Sequence, residues 1–217
     1  MQKYMWEPLG ITNMAFHLQQ RPDMLTRLSA MTERGGGSTL FGTASDPLGP
    51  LGWTPEIWLD GMADDCGGAG GYGSAVDYQK ILDSITAGDN KLLGSEMLDE
   101  LFKPQLGDVP QAQLEESLAI KEIYSGIAPS LPIGLKFGYA LGGMVVLEDI
   151  EGRRRKGSMH WAGLPNMYWW ADRVGGVSGV YATQLIPSTD LKSTEMFRKF
   201  EQTIYERVKV VREGNAS

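Results

Sequence analysis

The residues whose types and spacing best suit binding or catalysis form a short segment in the second half of the chain, His160-Trp161-Ala162-Gly163. Two bulky rings are followed by a small residue and a glycine, at the expected edge of a strand. Glycine at a strand edge lets a ligand approach the backbone closely. Because side chains alternate across a strand, His160 and Trp161 face opposite sides. The segment is therefore a candidate for contact with a ligand. The alternatives are a core aromatic for Trp161 and, more strongly, a structural role for His160.

A glycine-rich stretch is the second candidate for contact with a ligand, and it reads Gly67-Gly68-Ala69-Gly70-Gly71-Tyr72-Gly73. It does not follow a strand in a βαβ unit, and it lacks the lysine of a nucleotide-binding P-loop. We therefore predict a tight loop whose backbone approaches another element or a ligand.

Side chains that could act as a nucleophile or hold a metal form no recognisable set. No serine has lysine three residues later, and no G-x-S-x-G sequence occurs, so two serine-nucleophile motifs are absent. A single cysteine, Cys66, excludes an internal disulfide and a cysteine-built metal site. His17 and His160 have no carboxylate at metal-ligand spacing. We predict no metal and no cofactor.

The composition fits one globular domain, with 217 residues of which 42% are hydrophobic. The net charge of -7 argues against a nucleic-acid partner. Since there is no signal sequence and no long apolar run, we expect a cytoplasmic protein without a membrane partner. The one basic run, Arg153-Arg154-Arg155-Lys156, lies beside Glu148 and Asp149, which predicts a solvated hairpin turn.

The hydrophobic pattern predicts an α+β fold, with an antiparallel sheet and flanking helices. Helices are expected from Ser74 to about Ala87, from Ser95 to Phe102, around residues 113–124, and from Thr189 or Asp190 to about Val211. The expected N-caps are Ser74, Ser95 and either Thr189 or Asp190. Strands are expected at 137–147, 159–161, 167–172 and 177–184, joined by short links that favour antiparallel pairing. The apolar stripe of the last helix would cover one face of the sheet.

Residues 12–63 contain strong breaker clusters and predict an irregular excursion. We expect it to fold back onto the body of the domain through three aromatic or aliphatic anchors, Trp53, Ile57 and Trp58.

Three separated blocks of the sequence resemble one family. Residues 1–16 contain W-E-P-L-G-I, residues 67–81 contain G-G-A-G-G-Y-G-S-A-V-D-Y, and the strands from residue 137 end in T-Q-L-I-P at Pro187. In this order they resemble β-lactamase-related serine esterases and acyltransferases, and the aromatic-rich ending most resembles fungal transesterases that acylate polyketides. The resemblance covers nearly the whole chain. It implies the C-terminal part of a β-lactamase/transpeptidase-like fold.

This resemblance implies roles for particular residues. Trp161-Ala162-Gly163 stands where penicillin-recognising members carry K-T-G, and the backbone N–H of Leu164 would be one donor of an oxyanion hole. Gly68, Ala69 and Gly70 would belong to a loop that walls the same pocket. The implied partners are a small-molecule acyl donor and an alcohol acceptor. Without a lysine on the strand, a carboxylate-bearing β-lactam is not the expected substrate.

The chain departs from the family in one respect, since the S-x-x-K and Y-x-N motifs that supply nucleophile and base are absent. We therefore expect residues 1–217 to form a single incomplete domain that lacks the half with the nucleophile. Such a chain would lack esterase activity and would tend to self-associate, or would pair with a chain that carries the missing half. The alternative is a non-catalytic binding or scaffold protein. Whether the intact enzyme transfers the acyl group or hydrolyses it stays open.

Overall fold

The computed structural model describes residues 1–36, 44–55 and 63–215. The ten strands in the described part of the chain are β1 (Met14–Ala15), β2 (Thr32–Arg34), β3 (Leu51–Trp53), β4 (Tyr72–Gly73), β5 (Phe137–Tyr139), β6 (Met144–Val146), β7 (Met159–Gly163), β8 (Met167–Asp172), β9 (Val177–Tyr181) and β10 (Leu185–Ile186). The six α-helices described are α1 (Pro22–Leu25), α2 (Ala75–Ala87), α3 (Ser95–Phe102), α4 (Asp108–Leu118), α5 (Lys121–Ile127) and α6 (Leu191–Gly214). Gln2–Trp6 forms a π-helical turn and Leu18–Gln20 a 3₁₀ turn.

The centre of the fold is an antiparallel sheet of five strands in the order β5-β6-β7-β8-β9. Each strand pairs with its neighbour in sequence. Three of the links are short turns, which favours antiparallel pairing, and the link between β6 and β7 is the longer segment 147–158. The turns between β5 and β6 and between β7 and β8 therefore lie at one end of the sheet. The turn between β8 and β9 lies at the opposite end.

Helices cover both faces of this sheet. On one face, Leu82 and Ile85 of α2 and Leu98 and Phe102 of α3 pack with Met159 and other buried residues of the sheet. On the other face, the side chains of Tyr168, Trp170 and Val177 pack against α6, while α5 covers β5 and β6. These layers confirm the predicted α+β class and the covering role of the last helix.

The ends of the helices follow the sequence signals in part. Ser74 caps α2, since its Oγ accepts a hydrogen bond from the N–H of Asp77 at 3.1 Å, as predicted. Asp190 caps α6 through the N–H of Ser193, at 2.8 Å. The prediction for α3 is right in its bounds and wrong in its cap, which is Gly94 rather than Ser95.

Two smaller sheets surround the central one. β1 pairs with β4, and β2 lies between β10, to which it is parallel, and β3. Because β10 pairs with β2, the part of the chain that contains β2 and β3 is connected to the segment that follows the central sheet. None of the described helices is long and apolar enough to cross a membrane.

Three further sequence-based predictions are wrong. The expected single strand at 137–147 is the hairpin β5–β6, because Gly142 and Gly143 allow a tight turn. Trp53 is 80% exposed on β3 and does not anchor the excursion. Ile57 and Trp58 lie outside the described residues. Arg153 and Arg154 are buried, so the basic run is not a solvated turn.

Candidate active site

One edge of β7 is open along part of the segment 160–163, the candidate for ligand contact in the sequence. β6 pairs with β7 only through Val145 with Met159 and Met144 with His160. On its other side, β7 pairs with β8 as far as Gly163 with Met167. In the described part of the chain, residues 161–163 therefore have a partner strand on one side only. Their free edge carries backbone groups that an extended ligand can reach.

Gly163 is not required by the packing of the protein. A methyl group placed there would come no closer than 3.6 Å to Met167 Cβ, which is ordinary van der Waals contact. By contrast, a methyl group on Gly143 would come within 2.8 Å of the carbonyl oxygen of His160. Gly143 is therefore required by the hairpin, whereas Gly163 lies where a methyl group would fit in ordinary contact with Met167.

Trp161 is half-buried beside this edge. Its ring meets the Tyr139 ring edge-on, with the ring centroids 5.6 Å apart. It also packs against the cluster that contains Tyr124 and Phe137. Part of the Trp161 ring is therefore packed in the core, as the alternative prediction had it, and part remains accessible.

Leu164 lies in the turn between β7 and β8, and this turn is held rigidly. The carbonyl oxygen of Pro165 accepts a hydrogen bond from Thr183 Oγ1 at 2.5 Å. Asn166 is fully buried with a left-handed backbone, φ 55°, a conformation that asparagine tolerates better than most residues. The sequence predicted a short link here, with Leu164 as an oxyanion donor, and gave no role to Asn166. The asparagine after proline between two strands is the signal that could have revealed its role.

The side chain of Asn166 connects the turn to the next segment of the chain. Its Nδ2 donates to the carbonyl oxygens of Leu185 and Pro187, at 2.7 and 2.9 Å. Its Oδ1 accepts from Tyr168 Oη at 2.7 Å and from the N–H of Asp190 at 3.0 Å. Because every polar atom of the amide is used, Asn166 fixes where the turn that carries Leu164 sits.

Asp190 extends the same network to β2. Its carboxylate forms a buried ion pair with Arg34, which also donates to the carbonyl oxygen of Gly49 at 3.0 Å. The network therefore joins the β7–β8 turn, the start of α6 and the three-stranded sheet of β10, β2 and β3. The sequence predicted Asp190 as a cap and gave no indication of this pairing.

The glycine-rich stretch forms a tight turn, as predicted. The N–H of Gly70 donates to the carbonyl oxygen of Cys66 at 2.7 Å, and a methyl group on Gly70 would come within 3.0 Å of Cys66 Cβ. Gly68 and Ala69 are exposed, whereas Gly70 is buried. Among the described residues, no hydrogen bond joins this turn to Leu164 or to β7. In the described residues, hydrogen bonds therefore do not hold the glycine-rich turn beside Leu164 or β7.

Asp77 brings two of the three family-like sequence blocks together. Its Oδ2 accepts hydrogen bonds from the N–H of Asn13 at 2.8 Å and from that of Thr12 at 3.3 Å, and its Oδ1 lies 2.6 Å from Lys80 Nζ. Although burial opposes ionisation, these hydrogen bonds lower the pKa of the Asp77 carboxyl to about 2. The same contacts align β1 with β4.

His160 is a core residue rather than a general base. It is buried, its ring lies 5.5 Å from that of Phe137, and no described residue hydrogen-bonds either nitrogen. Burial, helped by the charge of Arg154, holds the His160 pKa well below its usual value, so the ring is neutral at pH 7. In the described part of the chain no cluster of side chains could hold a metal ion.

Two depressions of about 470 and 220 Å³ occur elsewhere on the surface. The larger lies at the start of α3 and the smaller beside Trp6 and His17, and neither is lined by a residue of β7 or of the Leu164 turn. Neither depression therefore belongs to the candidate site at β7.

Comparison with known proteins gives relatives over nearly the whole chain. The ML-236A carboxylate methylbutanoyltransferase of Penicillium citrinum is 33% identical over 213 residues, which are 96% of this chain and 48% of that enzyme. The lovastatin esterase of Penicillium rubens is 32% identical over 216 residues, 92% of this chain and 50% of the esterase. A solved mutant of simvastatin synthase from Aspergillus terreus matches with a TM-score of 0.86 at 33% identity, over 96% of this chain and 49% of that one. The chain is a homologue of the fungal statin acyltransferases.

This homologue spans about half the length of the curated relatives that it matches. No family model matches its sequence. The relatives confirm the predicted resemblance to the esterase and transesterase branch, and the solved structure confirms the α+β fold. The relatives include both a methylbutanoyltransferase and an esterase. Sequence similarity alone therefore does not decide between acyl transfer and hydrolysis.

Proposed function

We propose that this chain supplies the substrate-lining wall and one backbone oxyanion donor of a serine acyltransferase or esterase. The open edge of β7, ending in Gly163 beside the rigid turn of Leu164, is the observation that carries the proposal. The Leu164 N–H would donate to the developing oxyanion, and Trp161, Ala162 and Gly163 would line the substrate. An oxyanion donor is effective when it is held in place before the reaction, and the Asn166 network provides that support.

The reaction would be a two-step acyl transfer. The serine oxygen attacks the carbonyl carbon of an ester donor, a tetrahedral oxyanion forms, and the alcohol or thiol of the donor leaves with a proton. The acyl-enzyme is then attacked by an acceptor alcohol or by water, which releases the new ester or the acid and restores the serine. Both substrates would be small molecules, and secondary metabolism is the setting that the relatives suggest.

The nucleophile and its base would come from residues outside these 217. No serine in the sequence has lysine at the third position after it, and the match covers about half of each relative. Within the described residues, β5 pairs only with β6 and β9 only with β8. Two edges of the central sheet are thus open to a segment that carries the nucleophile, or to a second copy of the chain. Gly68, Ala69 and Gly70 would contribute to the pocket only once that segment is in place.

Mixing the chain with the missing half tests whether this chain supplies the substrate wall while another segment supplies the nucleophile. The partner would be the part of the Penicillium citrinum enzyme that this chain does not match. We expect the chain alone to give no fluorophosphonate labelling and no turnover of p-nitrophenyl esters. The mixture should be labelled on the partner's serine and should turn over ester. A Gly163→Val variant should assemble equally well but lose turnover, since the valine obstructs the free edge of β7.

The control for this experiment is Gly52→Val. Gly52 also lies on a strand, and a methyl group there meets no atom within 4 Å. This variant should assemble and turn over ester like the unchanged mixture. Ester turnover by the 217-residue chain alone, with labelling of one of its own serines, would refute this separation of roles.

A non-catalytic binding protein is the second candidate, and the absence of the nucleophile motif favours it. Such a protein would use the same open edge to hold a ligand without reacting with it. Mixtures that assemble but never label, together with ligand binding that Gly163→Val weakens, would support this role over the enzymatic one.

A further inference from the structure

The two edge strands of the central sheet, β5 and β9, differ in what covers their outer sides. β5 bonds to β6 through alternate residues, so the carbonyl groups of Phe137 and Tyr139 point away from β6. The carbonyl oxygen of Phe137 accepts a hydrogen bond from Gln111 Nε2 at 2.8 Å. That of Tyr139 accepts one from the N–H of Gln105, also at 2.8 Å. The start of α4 and the link before it therefore already occupy the outer side of β5.

The outer side of β9 has no such cover. In the described part of the chain, no group outside β8 hydrogen-bonds a backbone atom of residues 177–181. Those residues include no charged side chain and no proline, and their register with β8 is unbroken. Charges, prolines and bulges are the features that usually prevent an edge strand from pairing with another chain. β9 is therefore an unprotected edge.

An apolar strip on α6 borders this edge. The ring of Trp170 lies across Gly179 of β9, since a methyl group on Gly179 would collide with that ring. Phe200 meets the Trp170 ring edge-on, with the centroids 6.0 Å apart, and its own ring lies 6.5 Å from that of Tyr181 on β9. Phe200 is 38% exposed, and Met196, one turn earlier on the same face of α6, is 57% exposed. We call the outer side of β9, together with Tyr181, Met196 and Phe200, the β9 surface.

The β9 surface is complementary to a second copy of itself. When two β9 strands run antiparallel about a two-fold axis at Gly179, Val177 of one copy lies opposite the partner's Tyr181. Val177 and Tyr181 belong to the apolar cluster beneath α6, so an apolar side chain meets an aromatic one, which favours cross-strand contact. The axis itself passes a residue without a side chain. Beside the strip, Lys199 Nζ lies 2.7 Å from Glu195 Oε1, so a second α6 approaches a neutralised pair.

We propose that a second copy of this chain docks on the β9 surface, so that the two central sheets join into one through their β9 strands. The unpaired backbone groups of the two edges would then bond to each other. Met196 and Phe200 of the two α6 helices would be removed from water, which favours association in proportion to the apolar area covered. Since the surface is one short strand and a few side chains, we expect a reversible dimer with a Kd of about 10 µM. The inference does not depend on the proposed function.

Sedimentation equilibrium of the complete chain, from about 1 to about 200 µM, measures this Kd. Met196→Lys should raise the Kd at least about tenfold, because it places a cation of each copy in the interface. Met97→Lys is the matched control. Met97 is 58% exposed on α3, which packs on the other face of the sheet, so the same substitution there should leave the Kd unchanged. Circular dichroism should show that both variants keep their fold.

Hydrogen exchange measured at low and at high protein concentration locates the interface. The amides of residues 177–181 that point away from β8 should exchange at least about tenfold more slowly in the dimer, because they are bonded to the partner strand. The amides of residues 137–139 should exchange at the same rate in both samples, because the chain itself covers the outer side of β5.

A chain that stays monomeric up to about 200 µM would overturn the proposal. So would equal effects of Met196→Lys and Met97→Lys on the Kd, or slowed exchange at β5 instead of β9. Slowed exchange at β9 that appears only after the missing half is added would also overturn it, because that result would assign the edge to the other half of the enzyme and not to a second copy.

Discussion

Replacing Glu201 with glutamine should be among the most damaging single substitutions in the chain. Glu201 lies on α6 and is fully buried. Its Oε1 lies 2.7 Å from Arg154 Nε, its Oε2 lies 2.9 Å from Arg154 Nη2, and Arg153 Nη2 pairs with the same Oε2. One buried carboxylate thus serves two buried guanidinium groups, which join the β6–β7 link to the last helix.

The expected loss follows from what the substitution leaves behind. Removing one partner of a buried ion pair costs about 3–5 kcal/mol, because the other charge stays buried without compensation. Here Glu201→Gln would leave two such charges, so we expect a loss near the upper end of that range. Domain stabilities are roughly 5–15 kcal/mol, so the variant would lose a third or more of a typical value.

Urea unfolding followed by tryptophan fluorescence measures the loss. Trp170 is buried beside Arg154, at 5.8 Å from the guanidinium carbon, and therefore reports on this region. With an m-value of about 2–3 kcal/mol/M, a loss of about 5 kcal/mol should lower the midpoint by roughly 1.7–2.5 M. Glu206→Gln is the control, since Glu206 is exposed on the same helix. Its effect should stay within about 0.5 kcal/mol.

Two further measurements decide whether buried charge is the cause. Replacing Arg153, Arg154 and Glu201 together by methionine and leucine should recover most of the loss, because apolar residues of similar volume often substitute for buried ion pairs at little cost. Burial alone raises the Glu201 pKa, but Arg154 and Arg153 hold it below its usual range. The carboxylate therefore stabilises above the unfolded-state pKa, and the difference from Glu201→Gln should shrink in acid. A Glu201→Gln midpoint equal to that of Glu206→Gln would refute the reasoning.

Three further predictions concern the elements that support the site. Asp77→Asn should cost about 2 kcal/mol at pH 7, since the pKa of Asp77 falls from 3.8 to about 2 on folding; urea midpoints should converge with those of the unchanged protein as pH falls from about 4 to 2. Asn166→Ala should lower the free energy of unfolding by about 2–3 kcal/mol, because it removes the hydrogen bonds of the side-chain amide at a position with left-handed backbone. Thermal unfolding measures the loss, and an unchanged Tm would contradict this role. Gly143→Ala should lower the Tm because its methyl group meets the His160 carbonyl oxygen at 2.8 Å, whereas Gly52→Ala, with open space around it, should not.

Local patterns predicted most of the regular elements, because their signals are short-range. A serine cap followed by apolar periodicity predicted α2 almost to the residue. The turn residues Leu164-Pro165-Asn166 separated β7 from β8, and Gly175 and Gly176 separated β8 from β9. The hairpin β5–β6 was missed because its apolar residues are continuous through the turn. Only the two adjacent glycines, Gly142 and Gly143, indicate a reversal there.

Long-range pairing could not be predicted from the same patterns. Arg153 and Arg154 stand among acidic neighbours and were interpreted as a solvated turn, yet their partner Glu201 lies 47 residues beyond Arg154. The Arg34–Asp190 pair is separated by 156 residues. Charges so distant in sequence are brought together by the tertiary fold, and no spacing rule along the chain connects them. The resemblance placed the candidate site at β7, while the structure added Asn166 and Tyr139 to it.

The position of the Leu164 turn bears on how the two halves of a site could come together. Its supporting hydrogen bonds run to Thr183, Leu185, Pro187 and Asp190, all within this chain. A donor that is fixed before any partner arrives does not require the partner for its own geometry. We therefore expect an added segment with the nucleophile to restore activity by docking on a preformed wall. Asn166→Asp replaces the donor Nδ2 with an acceptor facing two carbonyl oxygens, so it should weaken turnover in the mixture more than it weakens assembly.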